Sequence, residues 1–270
     1  MGQVGQVGRV GCVPLNRALS KLGILSRAQA ADAIRAGRVR VDGRLVHDPA
    51  QPIVPEHARI TIDDEPQERA AWRTILFHKP RGVVTTRRDP ERRRTVFDVI
   101  GDEARGLVAV GRLDFATTGL LILTTDTRLA NWMADPTSAV PRVYAVTVRG
   151  EVTHDELATL ESGVTSGRDH LRAAMATLRR ASRRESHLIV ELRAGRNREL
   201  RRLFAAVGHQ VTRLKRVKFG GLELGALEPG HWRELTRRDV TAAFPGAPIR
   251  SRSLGSEPNR RGHAVARGRS

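Results

Sequence analysis

Cysteine is almost absent from this chain. Cys12 is the only one in 270 residues, which excludes an internal disulfide and any multi-cysteine zinc site and makes a reduced, cytoplasmic compartment the default. The nine histidines are scattered, with no close pair at metal spacing, so no metal is expected. No apolar run approaches the length of a membrane span, and the N-terminus lacks the apolar core of a signal peptide. No glycine-rich phosphate loop is present, which agrees with a chemistry without redox or phosphoryl transfer that needs no nucleotide or other small-molecule cofactor. Acid is also in short supply: 47 Lys and Arg face 29 Asp and Glu, a formal charge of +18. Residues 245–270 hold six of those Arg and one Glu, so the remainder still carries +13. A body this basic favours a polyanionic partner, and nucleic acid over membrane.

Periodicity divides the chain. Residues 1–13 read as a disordered lead-in and 14–63 as a compact small domain. Leu15, Ala18, Leu19 and Leu22 share one helical face, ended by Gly23. Ser26 and Gln29 form a capping box for a second helix through Ala30, Ala33 and Ile34, ended by Gly37. Val39 and Val41 alternate with Arg38 and Arg40, Asp42-Gly43 suits a two-residue hairpin turn, and Ile60 and Ile62 close a sheet. Residues 64–73 read as a linker, 74–244 as a second domain, and 245–270 as a disordered basic tail. In the second domain, Thr74 to Phe77 and the run Val83 to Thr86 read as strands around a Lys79-Pro80-Arg81-Gly82 turn. Five arginines lie between Arg87 and Arg94. A short helix starts at Thr95, another helix spans Thr127 to Ala134 with Leu129, Trp132 and Met133 inward, and Pro141 to Val148 alternates as a strand. A polar helix, a Gly163–Gly167 loop and two strand-like runs follow. Arg179, Arg180, Arg183 and Arg184 flank the turn between those runs, without an evident purpose.

The most informative stretch is Val110 to Asp126. It reads as loop, turn and buried strand, because Leu120 to Leu123 is continuously apolar. Gly119 is free to take positive φ just before the strand. Asp114 in this Thr- and Gly-rich turn has two readings: it bonds its own backbone, or it does chemistry at the lip of a core strand. Gly111-Arg112-Leu113-Asp114-x-x-Thr117-Thr118-Gly119-Leu120-Leu121 resembles the signature of RNA pseudouridine synthases of the RsuA/RluB/RluE/RluF type. Lys79-Pro80-x-Gly82 is similar to that family's first motif and Arg142-x-Tyr144-x-Val146 to its Lys/Arg-x-Tyr-x-Val motif. Gly195 to Leu203 is similar to its Arg-Arg helix motif, with Ala194, Glu199 and Leu203 in place of Glu, Gln and Met. The small domain resembles the RNA-binding domain first seen in ribosomal protein S-four.

The resemblance implies an α+β protein, a small RNA-binding domain followed by a catalytic domain with a mixed, mostly antiparallel sheet flanked by helices. It implies that Asp114 is catalytic, that the ring of Tyr144 stacks on uracil, and that Arg201 ion-pairs with Asp114. Glu199 leaves two alternatives open, competing with Asp114 for Arg201 or facing solvent. RNA contacts are expected from Lys21, Arg27, Arg35, Arg38 and Arg40 in the small domain, and from Arg112, Arg142, Arg198 and Arg202 in the large one. Arg198, Arg201 and Arg202 fall at i, i+3, i+4, a cationic ridge opposite Leu200, Leu203 and Phe204. The expected activity is isomerisation of a uridine in ribosomal RNA, free or in a partly assembled subunit, by a cytoplasmic monomer. The alternative is an RNA-binding or ribosome-assembly factor without catalysis. A glycoside hydrolase needs a second carboxylate, for which Asp126 is the nearby candidate.

Overall fold

The computed structural model describes residues 12–22, 24–25, 27–55, 58–67 and 71–249. The chain forms two compact units, one of residues up to Trp72 with Arg105–Leu107, the other of Arg73–Ala104 with Val108 onward. Gly23 and Ser26, the lead-in before Cys12 and the tail from residue 250 lie outside the described residues.

The first unit runs β1 (Val13–Pro14), α1 (Leu15–Lys21), α2 (Arg27–Arg35), β2 (Val39–Val41), β3 (Arg44–Leu45), β4 (Pro52–Ile53), β5 (Ile60–Ile62) and β6 (Glu65–Pro66). Leu15, Ala18 and Leu19 of α1 are wholly buried and meet Ala30, Ala33 and Ile34 of α2 together with Val39, Val41, Ile60 and Ile62. Each helix thus buries the face its 3.6-residue period marks, and each strand every second residue. The sheet order is β3-β2-β5-β6, and β1 pairs with β4. Asp42 and Gly43 both adopt positive φ, +51° and +79°, as a tight hairpin between right-twisted strands requires. Asp63 and Asp64 do the same at +55° and +63°, and here the linker expectation fails. Residues 65 and 66 are not linker but strand β6, paired with β5 through Thr61–Pro66 and Ile62–Glu65. An edge position tolerates Pro66 because its missing N–H faces away from the sheet.

The second unit begins with β7 (Thr74–Lys79), α3 (Val96–Ile100), β8 (Val108–Ala109), β9 (Thr118–Thr124), α4 (Thr127–Ala134) and β10 (Arg142–Arg149). It continues through α5 (His154–Ser162), β11 (Val164–Ser166), β12 (Asp169–Leu171), β13 (Met175–Ala181), β14 (Glu185–Leu192), α6 (Glu199–Ala206), β15 (Val211–Phe219), β16 (Leu222–Glu223), β17 (Trp232–Glu234) and α7 (Arg237–Ala243). Its nine-stranded sheet has the order β13-β14-β10-β15-β9-β7-β17, with β8 on β9 and β16 on β15. One pairing, β9 with β15, is parallel; the others are antiparallel. This is the α+β architecture, with a mixed and mostly antiparallel sheet, that the motifs imply. Strands β7 and β9 are buried almost throughout, whereas β14 alternates strictly, as a strand with one half-exposed face does. Helices α3, α5 and α7 start at capping boxes, Thr95 with Asp98, Thr153 with Glu156, and Thr236 with Asp239.

Two expectations are corrected here. Val83 to Thr86 is a turn segment with a single parallel bridge, Val84 to Thr95, because Gly82 at φ +76° folds the chain over the Asp114 turn. Within the expected Gly163–Gly167 loop, Val164–Ser166 is strand: β11 pairs with β12 from Val164–Leu171 to Ser166–Asp169, turning at Gly167.

Candidate active site

Strand β15 lies between β10 and β9, and one row across the three reads Tyr144, Arg216, Gly119. That row brings the strand carrying Tyr144 and the turn carrying Asp114 to the same place. The turn is held against β15 by Gly119, whose φ is +107° and whose hypothetical Cβ would lie 2.2 Å from the carbonyl oxygen of Arg216. Only a residue without a side chain fits both the space and the backbone.

Hydrogen bonds from four residues fix the Asp114 turn. The Thr117 amide donates to the Asp114 carbonyl at 2.9 Å. The Thr85 hydroxyl donates to the Leu113 carbonyl at 2.9 Å and accepts from the Leu113 amide at 3.3 Å. The Gly82 amide donates to the Phe115 carbonyl at 2.9 Å. Lys79, wholly buried at the end of β7, donates from Nζ to the carbonyls of Thr117 at 2.8 Å and Pro80 at 3.0 Å. Burial pulls Lys79 down to about 8, while the carboxylate of Asp114 works in the opposite sense. The Asp114 side chain itself stays one-third exposed and opens into a cleft of about 280 Å3.

The floor of the cleft is aromatic and cationic. Tyr144 is 8% exposed and lines it with Arg142, Arg216 and Phe219. The Arg142 and Arg216 guanidinium carbons lie 5.2 and 4.9 Å from the Phe219 ring centroid. Arg216 donates from Nε to the Leu120 carbonyl at 2.7 Å, so it ties β15 to β9. Arg142, expected to touch RNA, instead is buried and spends its guanidinium on the carbonyls of Val140, Arg193 and Met133. It is a structural cation whose face borders the cleft.

The second wall is the segment from Gly195 into α6, and here the helical ridge breaks. Arg198 sits before the helix with φ +49°, so it leaves the i, i+3, i+4 row. Its Nη1 lies 4.0 Å from Asp114 Oδ2. Arg201 makes no ion pair with Asp114 among the described residues. It donates to the Val211 carbonyl at 2.9 Å and borders the cleft behind Arg198. Burial and then the Arg198 charge lower its pKa, with the Asp114 charge opposing. The ion-pair partner is therefore Arg198 where the resemblance implied Arg201. Arg202 points elsewhere, to Asp169 at 2.7 Å and to the Ser166 carbonyl, so it clamps the β11–β12 hairpin to α6. Arg196 joins that clamp at 3.1 Å from Asp169.

Glu199 takes neither of the alternatives open to it. It is 4% exposed and accepts from the Arg196 amide at 2.8 Å, which holds the loop that presents Arg198. Burial raises its pKa against that bond. Asp126 caps α4, accepting from the amides of Arg128 and Leu129 at 3.0 and 3.1 Å, and is not a second carboxylate for the cleft. Arg112 is exposed on the cleft rim.

In the small unit, Arg35 lies 3.6 Å from Asp32, Arg40 3.0 Å from Asp64, and Arg38 donates to Asp63 from Nε at 2.7 Å. The Asp63-Asp64 turn before β6 thus ties down Arg38 and Arg40. Arg27 is exposed, and the Lys21 side chain lies outside the described residues. Among the described residues no three His, Cys, Asp or Glu side chains gather as a metal site, and no helix is long and apolar enough to cross a membrane.

Sequence reasoning missed Lys79 and Arg216 as parts of the site. Lys79 ends an apolar strand just before a proline turn, where a lysine ordinarily points to solvent. Arg216 is one of four cations in a strand, Arg213, Lys215, Arg216 and Lys218, and β alternation alone does not say which one the β9 backbone captures.

Residues 73–206 match the family described as RNA pseudouridylate synthase, and residues 13–65 match the S4 domain. An uncharacterized RNA pseudouridine synthase of Aquifex aeolicus is 33% identical over 239 residues, covering 88% of this chain and 96% of its own. The ribosomal large subunit pseudouridine synthase B of Bacillus subtilis is 32% identical over 228 residues, 84% of this chain and 93% of its own. A solved structure described as a crystal structure of pseudouridylate synthase superposes with a TM-score of 0.59 at 28% identity, covering 84% of this chain and 98% of that one. With that breadth of similarity, over both units and in the same order, the chain belongs to the RNA pseudouridine synthase family.

Proposed function

We propose that this enzyme isomerises a uridine of ribosomal RNA to pseudouridine, in the cytoplasm and as a monomer, and that Asp114 is the group that acts on it. The reaction breaks the N1–C1′ glycosidic bond, turns the uracil and rejoins it through C5; C5 loses its proton and N1 gains one. Asp114 either attacks C1′ or removes a sugar proton. The observation that carries this reading is the half-open Asp114 carboxylate in a cleft whose floor is Tyr144 and whose nearest cation is Arg198. Arg198 meets the carboxylate at 4.0 Å, and the charge of Asp114 also reaches the buried Lys79 and the half-buried Arg201. Tyr144 offers a flat surface to a base that has left its stack, an exchange in which base–aromatic stacking recovers roughly 1–3 kcal/mol.

Ribosomal RNA is the proposed substrate because the Bacillus subtilis relative is named for the large ribosomal subunit and because the chain is strongly basic. Phosphate contacts fall to the exposed side chains of Arg112 and Arg198 at the cleft and of Arg27 and Arg35 on the S4 unit, and to Lys21; they position RNA and do not read bases. The test is tritium release from ribosomal RNA carrying 5-tritiated uridine, on free RNA and on partly assembled subunits. Wild type releases tritium and Asp114→Asn does not, a fall of roughly 100-fold or more. Tight binding by wild type without release on any of these substrates would replace this reading with the ribosome-assembly factor.

A further inference from the structure

One ring stands outside the cleft and beside its reacting group. Phe115 follows Asp114 directly and is 47% exposed; among the described residues the other large exposed apolar side chains are Leu45 and Met175, neither aromatic. Its backbone is not loose. The carbonyl of Phe115 accepts from the Gly82 amide at 2.9 Å, and its ring edge lies 3.9 Å from where a Cβ on Gly82 would be. The Arg93 guanidinium carbon sits 5.9 Å from the ring centroid. Arg93 is itself anchored, to Asp89 at 2.7 Å and Glu91 at 3.1 Å. The ring is therefore a pre-positioned surface with an anchored cation over one face, and Leu113 and Asp114 line the cleft while Phe115 does not.

We infer that Phe115 is a positioning residue that stacks on the nucleobase next to the target uridine in the RNA strand. This rests on the proposed reaction. A uridine that leaves its stack to reach Asp114 exposes a face of its neighbour, and the exposed ring one residue from Asp114 covers that face. Arg93, over one face of the ring and held by Asp89 and Glu91, leaves the other face to the base. Stacking of this kind tolerates any base, because every base presents a π-face. Phe115 thus strengthens RNA binding at the cleft without choosing a sequence.

The test uses full-length protein and purified ribosomal RNA, with Phe115→Leu and Phe115→Trp. Phe115→Leu raises KM and the filter-binding Kd by roughly 5- to 150-fold, the range that one base–aromatic stack supplies, and leaves kcat and the thermal midpoint unchanged. Phe115→Trp restores both constants, and RNA quenches its emission beyond the quenching of the wild-type tryptophans. Unchanged binding in Phe115→Leu, no added quenching in Phe115→Trp, or a lowered thermal midpoint with unchanged affinity would each overturn the assignment. Failure of the reaction itself shows as absence of pseudouridine with wild type. The Kd and quenching measurements need only binding, so they still decide on the stack.

Discussion

The two walls of the cleft are held by different chemistry. The Asp114 wall rests on backbone amides, the Thr85 hydroxyl and a glycine pressed against β15, with Lys79 as its one buried charge. The Arg198 wall rests on charged side chains: Glu199 on the Arg196 amide, and Asp169 on Arg196 and Arg202. Neutral bonds inside a packed sheet are insensitive to salt, whereas half-exposed ion pairs are screened and weak. The arrangement separates two tasks. The reacting group is fixed by packing, and the cation that meets it is carried on a segment whose hold is adjustable.

Changing the packed wall has the largest expected effect. Gly119→Ala places a methyl 2.2 Å from a backbone oxygen at φ +107°, where neither partner is a flexible side chain. We expect a loss of roughly 3 kcal/mol or more in urea unfolding, together with loss of activity, from the clash and the strained backbone combined. A stable and active Gly119→Ala protein would show that the β9–β15 approach does not set the Asp114 turn.

An intermediate effect comes from the buried lysine in that wall. Lys79 releases its proton at about 8 when folded, below the usual lysine value, so between those two values the unfolded chain holds the proton and the folded one does not. Stability from this group therefore rises with pH across the window. Activity goes the other way, because the positive charge near Asp114 is lost, and kcat falls through an apparent pKa near 8. Lys79→Met removes this limb of the kcat profile at a lower plateau. Profiles of the same shape for the two proteins would exclude Lys79 as the cause.

The smallest effect is expected in the ionic wall. Asp169 is held below the usual carboxylate range, first by its bond from Arg202 and then by the charges of Arg202 and Arg196. Its pairing is present at neutral pH and lost as pH falls through that lowered value. Asp169→Ala lowers kcat by roughly two- to fivefold with little change in the thermal midpoint, and added salt narrows its difference from wild type. An effect as large as that of Gly119→Ala would erase the distinction between the walls.

Much of this was legible in the residues. The apolar run Leu120 to Leu123, the face Leu15-Ala18-Leu19 and the Asp42-Gly43 turn each carry a local signal strong enough to survive packing. The motifs named Asp114 and Tyr144, and the structure brings both to one cleft. What stayed hidden depends on partners distant in the chain. Arg198, Arg201 and Arg202 look alike on a helical wheel, but the wheel begins only at Glu199, so the ridge splits into an Asp114 partner, a β15 anchor and a hairpin clamp. Strand β6 was masked by Pro66, and β11 and β12 are too short and polar to show a period. The burial of Lys79 follows from what covers β7, which no window around residue 79 contains.

The bond from Arg216 to the Leu120 carbonyl spans 96 residues, and this gives the enzyme an order of assembly. Contacts so distant in sequence form only after the intervening chain has been made and its loop closed. A nascent chain that has passed Arg202 already contains Asp114, Tyr144, Arg198 and the cations of α6, yet Gly119 still has no strand to close upon. The chemistry-bearing residues are all present before the site exists, and β15 is the segment whose arrival turns them into one.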